Sequence, residues 1–182
     1  EKLIADHIGL RTGVERLIKE AKQKGITLAI ATSTSTANIE VLLKNALVHD
    51  ALSYFDILVS CDLVADKKPS PVVYQYVLAN LGLKPESCLV VEDTCNGNLA
   101  ALTAGMKSII TTHPLTADED FTGASLIIDH LGEPDEHFTV LSGNALGKYY
   151  VDVDLLENIL SSDSSTHRIS GLERSNLAVI TN

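Results

Sequence analysis

Two hydrophobic patterns alternate along the chain. Val14, Leu17, Ile18 and Ala21 lie at i, i+3, i+4 and i+7, the apolar stripe of an amphipathic helix. Thr12 and Glu15 have the spacing of a capping box at its start, and Gly25 suits its end. Residues 26–31 are then almost unbroken apolar, which predicts a strand buried on both faces, as in a parallel sheet. The alternation continues with a helix over about 36–47 and a short strand at 57–60. Ser70 and Pro71 read as the N-cap and first residue of a helix with the stripe Val73, Tyr76, Val77 and Leu81, closed by Gly82. A strand at 89–91, a helix over about 97–104 ending at Gly105, and strands at 108–111 and 125–128 complete the series. Strand and helix in this rhythm predict an α/β fold, a parallel sheet flanked by helices. Right-handed crossovers place all the strand C-termini on one edge, where open α/β sheets bind ligands.

The pattern changes after residue 131. Residues 132–148 read as loop, 153–160 as a short helix, and 161–182 as a flexible tail that opens on Ser-Ser-Asp-Ser-Ser. The chain has 182 residues, 45% of them hydrophobic, enough for one domain with a core of its own. A formal net charge of −10 argues against a duplex nucleic-acid binder, which needs Lys and Arg to neutralise phosphates. It leaves room for a single phosphate held by backbone amides and one Lys. Cys61, Cys88 and Cys95 are odd in number and show no CxxC spacing, so reduced thiols and a cytoplasmic location are expected. No apolar run reaches the ~20 residues that cross a bilayer, and the N-terminal residues lack the pattern of a signal peptide.

Candidate chemistry lies at the strand ends. The 26–31 run leads into Thr32-Ser33-Thr34-Ser35-Thr36, and the 89–91 run into Glu92-Asp93-Thr94. Lys67-Lys68-Pro69 stands between them, ahead of a helix. Each segment alone has a plainer role, as a helix cap or a surface turn. On a parallel sheet, however, a hydroxyl, an ammonium and two carboxylates converge at one edge. Hydroxyls and helix N-terminal amides bind phosphate oxygens, a Lys neutralises charge that develops on a phosphoryl group, and paired carboxylates hold a hard cation such as magnesium. Two charged residues at the end of a buried strand also need partners.

In this order, the segments resemble the motifs of the haloacid dehalogenase-like (HAD) superfamily of phosphohydrolases. The strand ending at Thr32 is similar to its second motif and Lys68-Pro69 to its third. The run 89–97 (Leu-Val-Val-Glu-Asp-Thr-Cys-Asn-Gly), with Ala100-Ala101 and Ala104-Gly105-Met106, is similar to its fourth. Asp129-His130-Leu131-Gly132-Glu133-Pro134 and Tyr150-Val151-Asp152 resemble the CbbY-like sugar-phosphate phosphatases, which are related to the β-phosphoglucomutases. The resemblance covers about residues 9–160. It implies a Rossmann-like core over 9–131, a C-terminal extension of that core over 132–160, and magnesium-dependent phosphoryl transfer from a small sugar phosphate through an aspartyl phosphate. Carried over by position, Thr32 and the Ser33 amide hold phosphate, Lys68 stabilises the phosphoryl charge, and Glu92 and Asp93 organise magnesium, Asp93 as the direct ligand.

The family's first motif, Asp-x-Asp-Gly, supplies the nucleophile and the general acid/base. Asp152-Val153-Asp154 comes after the fourth motif, lacks the Gly and opens a helix, while Asp118-Glu119-Asp120 follows no strand. The resemblance therefore implies an N-terminally truncated core. Residues 1–8 are read as the exit of a missing cap, and the nucleophile belongs to a longer parent. The chain alone is expected to be inactive, because covalent transfer needs its nucleophile. A missing strand is also expected to leave an exposed sheet edge or a gap that invites self-association. The alternative is a non-catalytic phosphate-binding or scaffolding remnant. A receiver domain would carry its acidic pair first and its Lys-Pro last, the reverse of the order here. A dinucleotide-dependent dehydrogenase would need a Gly-x-Gly-x-x-Gly after a strand, and none occurs.

Overall fold

The computed structural model describes residues 9–46, 51–162 and 178–181. Seven strands form one sheet: β1 (Thr27–Ala31), β2 (Ile57–Val59), β3 (Cys88–Glu92), β4 (Lys107–Thr111), β5 (Leu126–Ile128), β6 (Val140–Gly143) and β7 (Ala178–Thr181). Five α-helices accompany them: α1 (Val14–Gln23), α2 (Thr36–Ala46), α3 (Val72–Leu81), α4 (Cys95–Thr103) and α5 (Val153–Ser161). The spatial order of the strands is β2-β1-β7-β3-β4-β5-β6. All pairs are parallel except β5 with β6, which are antiparallel.

Period-two alternation divides the strand side chains between two apolar layers. Leu28, Ile30, Leu89, Val91 and Ile109 lie in one cluster with Leu17, Ile18 and Ala21 of α1 and Leu155, Leu156 and Ile159 of α5. Ala29, Ala31, Cys88 and Val90 lie in the other, with Val73, Tyr74 and Val77 of α3 and Ala100 and Ala101 of α4. Both faces are covered, which is why the strands read as unbroken apolar runs rather than alternating ones. Residues 132–160 join the first layer through Phe138, Ala145, Val151 and α5.

Four expectations are corrected. Ala178–Thr181, expected in a flexible tail, form β7 in the middle of the sheet, while residues 163–177 lie outside the described residues. β7 pairs with β1 (Thr27↔Ala178 to Ile30↔Thr181) and with β3 (Cys88↔Ala178 to Val91↔Thr181). The expected gap is therefore closed by the chain's own C-terminal segment, whose backbone supplies the partners that both strands need. The stretch read as loop contains β6, an edge strand whose four residues are all exposed, so it carries no inward-facing alternation to mark it. The capping box is not formed. Gly13 is the N-cap of α1, and Thr12 Oγ1 donates instead to Glu136 Oε1 at 3.3 Å. The cause is a close approach: at φ +86°, Gly13 abuts Gly132, where a Cβ would meet the carbonyl oxygen at 2.4 Å. Residues 1–8, read as a cap exit, lie outside the described residues.

Arg11 ties the start of the described chain to the far side of the sheet. Its Nη1 donates to Thr111 O at 3.0 Å and Thr111 Oγ1 at 2.9 Å, and its Nη2 to Asp129 O at 2.6 Å. These carbonyls end β4 and β5, so the clamp stiffens the edge on which the candidate site stands.

Candidate active site

The three predicted motifs meet on one ammonium. Lys68, on the loop between β2 and α3, donates to Ala31 O at the end of β1 at 2.9 Å and to Glu92 Oε1 at the end of β3. The side chains of this pair are 4% and 0% exposed. Burial pushes the Lys68 ammonium below its ordinary range, and the charges of Glu92 and Asp93 oppose that shift.

Glu92 is the hub. A buried carboxylate is stable only when paired and fully hydrogen-bonded, and here both oxygens are engaged. Oε1 accepts from Lys68 and from the Tyr74 hydroxyl at 2.9 Å. Oε2 accepts from the Asp93 amide at 3.0 Å and from Thr94 Oγ1 at 3.2 Å. Thr94 Oγ1 also accepts from the Gly97 amide at 3.1 Å as the N-cap of α4. Glu92 thus joins the Lys68 loop, α3 and the first turn of α4. Gly97 backs onto it so closely that a Cβ there would meet the carboxyl group at 2.0–2.2 Å.

Thr32 and Ser33 follow β1 at the same edge. The Thr32 amide donates to Val59 O at 2.9 Å, and Thr32 Oγ1 accepts from the Thr34 amide at 3.1 Å. The second bond leaves the hydroxyl hydrogen as a donor for an anion, and Ser33 beside it is exposed. Asp93 is half-buried, one residue beyond Glu92. Parallel β1 and β3 therefore bring Thr32, Ser33, Lys68, Glu92 and Asp93 to one edge, with the C-terminal end of β7 between them.

The fit to a metal is narrower than two carboxylate ligands. No group of three His, Cys, Asp or Glu suited to an ion occurs among the described residues. Magnesium keeps several waters and binds through one or two carboxylates plus substrate phosphate. Asp93 suits that role. Glu92, whose two oxygens are already taken, does not.

Three participants have no chemical role in the sequence pattern. Tyr74 lies outside the predicted α3 stripe, yet its hydroxyl is a buried donor to Glu92. Thr94, which only ends the Glu92-Asp93-Thr94 run in the sequence, bridges Glu92 to α4. Glu119, in an acidic run that follows no strand, accepts from the Cys95 amide at 2.5 Å and so caps α4 from the loop after β4. Each depends on contacts between distant segments; only Thr94, three residues before Gly97, carried a local N-cap signal. Asp152 is the N-cap of α5, accepting from the Leu155 amide at 2.8 Å, which agrees with setting aside Asp152-Val153-Asp154 as a nucleophile motif.

Comparison with known proteins agrees with this geometry. Residues 1–111 match the haloacid dehalogenase-like hydrolase family. Protein CbbY of Cereibacter sphaeroides is 42% identical over 126 residues, 69% of this chain and 55% of that protein. A plasmid-encoded CbbY of Cupriavidus necator is 42% identical over 136 residues, 75% of this chain and 54% of its own length. The chain spans about half the length of these relatives. The crystal structure of a CbbY variant from Rhodobacter sphaeroides in complex with xylulose-(1,5)bisphosphate matches with a TM-score of 0.66 at 42% identity, covering 68% of this chain and 55% of that one. A β-phosphoglucomutase-like structure from Thermotoga maritima matches with a TM-score of 0.60 at 27% identity, covering 87% and 62%. No helix among the described residues is long and apolar enough to cross a membrane. Matched by that family's model over residues 1–111 and similar to the CbbY proteins within it, the chain belongs to the haloacid dehalogenase-like hydrolases.

Proposed function

We propose that this chain is the phosphate-holding and metal-holding part of a magnesium-dependent phosphatase for a small sugar-phosphate-like substrate. In the full-length protein, turnover runs through an aspartyl phosphate. The observation that carries this reading is the meeting of Ala31, Lys68 and Glu92 through a single ammonium, which brings three sequence-distant segments to one sheet edge. The relative solved with xylulose-(1,5)bisphosphate supports a phosphorylated sugar as the substrate class. The free thiols of Cys61, Cys88 and Cys95 fit a reducing compartment such as the cytoplasm.

Each residue then has a distinct task. The Thr32 hydroxyl and the Ser33 amide bind phosphate oxygens, and Lys68 neutralises charge on the phosphoryl group. Asp93 is the carboxylate that would hold magnesium, and Glu92 fixes both Lys68 and the Asp93-Thr94 backbone. Bound magnesium supplies positive charge that offsets the repulsion between a phosphate and the acidic groups around it. None of these residues has the role of the carboxylate that accepts the phosphoryl group. No Asp-x-Asp-Gly sequence that would supply such a carboxylate occurs in the 182 residues, so this chain alone is expected not to turn over.

The test is phosphate release from sugar phosphates by the longer polypeptide, with and without magnesium. Glu92→Ala combined with Asp93→Ala is expected to abolish magnesium-dependent release, and unchanged turnover would overturn the assignment. Phosphate binding without turnover in the longer polypeptide itself would favour the non-catalytic remnant instead.

A further inference from the structure

Tyr74 lies on the side of α3 that packs on the sheet, with 0% of its surface exposed. A phenol in an apolar layer needs a partner for its hydroxyl, and an unadorned aromatic ring would have filled the same volume among Val73, Val77 and Ala101. Its hydroxyl donates to Glu92 Oε1 at 2.9 Å. Its ring centre lies 4.9 Å from Lys68 Nζ, within cation–π range. One buried side chain therefore touches both members of the ion pair through different chemistry, as a donor to the anion and as a π face to the cation.

We propose that Tyr74 is a positioning residue that holds the Lys68 ammonium toward the phosphate edge by sharing Glu92 Oε1 with it. The assignment rests on the phosphoryl-site reading above. Lys68 reaches the edge from a loop, and its ammonium is steered by the groups around it rather than by a rigid element. While the phenol satisfies part of Oε1, Lys68 does not carry that oxygen alone. Without the phenol hydrogen, Oε1 has lost a donor in a place where water does not replace it, and the ammonium is drawn inward to compensate. Phe keeps the π face and removes only the hydroxyl, so Tyr74→Phe isolates the shared hydrogen bond. Tyr74→Leu removes both contacts.

The experiment follows two readouts on the full chain. One is the affinity for inorganic phosphate in the presence of magnesium, by calorimetry. The other is the Lys68 side-chain 15Nζ resonance. Tyr74→Phe is expected to weaken phosphate binding roughly tenfold and to shift that resonance, with Tyr74→Leu weaker still. In a Lys68→Met background, Tyr74→Phe is expected to change the remaining affinity less than about twofold, because its effect passes through the ammonium. A tyrosine that only fills the core would lower the melting temperature in both backgrounds and leave the affinity of Tyr74→Phe at the wild-type value; that result overturns the proposal. If the wild-type chain and Lys68→Met bind phosphate alike, the phosphoryl-site reading is what fails. Tyr74 is then judged on the resonance alone, and an unshifted Lys68 signal in Tyr74→Phe overturns its role as well.

Discussion

Replacing a helical glycine by alanine ordinarily stabilises a protein, by about 1 kcal/mol in a helix interior. Gly97→Ala is expected to do the reverse. Gly97 lies in the first turn of α4, and a Cβ there would stand 2.0 Å from Glu92 Cδ and 2.1 and 2.2 Å from its two oxygens. The helix cannot give way, because Thr94 pins its first turn through the Gly97 amide. Glu92 must therefore leave its place, and with it go the bonds from Lys68, Tyr74, Asp93 and Thr94. Breaking a buried charge pair costs ~3–5 kcal/mol. Set against the helical gain, the net loss is ~2–4 kcal/mol, which lowers the melting temperature by roughly 5–15 °C in a chain of this length. Thermal unfolding followed by circular dichroism reads the shift directly. Shortening the obstacle with Glu92→Ala in the same molecule should make the alanine at 97 nearly free of further cost, since the steric conflict is gone. A Gly97→Ala protein that melts at or above the wild-type temperature would refute the packing argument.

Two further outcomes follow from the fold. Burial pushes the Cys88 thiol up from 9.0 to about 11. A group raised on folding contributes stability below its unfolded pKa and loses it as pH climbs through the folded one. Between pH 9 and 11, the wild type should therefore lose about 2 kcal/mol more stability than Cys88→Ala; parallel urea-denaturation curves for the two proteins would contradict this. At Val179, level with Leu28 on one side and Leu89 on the other, proline removes a ladder donor from the central strand. Val179→Pro is expected to cost roughly 2–4 kcal/mol in denaturant titration, and an unchanged midpoint would show that β7 contributes nothing to the sheet.

What the sequence determined by itself is local and ordered along the chain. Runs such as 26–31 and 89–91 are apolar without alternation because both faces of β1 and β3 are covered, so strand identity and a parallel α/β sheet were both legible. The order Thr32, Lys68, Glu92-Asp93 was legible for the same reason: each residue follows a readable strand or precedes a readable helix. What only the tertiary structure decided depends on which distant segments touch. Ala178–Thr181 carry apolar residues but nothing that names β1 and β3 as neighbours, so their central position could not be read from a tail. Tyr74 occupies an apolar helix face, and only the packing of α3 on the sheet turns its hydroxyl toward Glu92. Glu92 reads as a metal ligand beside Asp93, yet donors from four residues, Lys68, Tyr74, Asp93 and Thr94, make it a structural hub. A side chain's chemistry is written in the sequence; in a buried site its role is set by the partners that desolvation forces upon it.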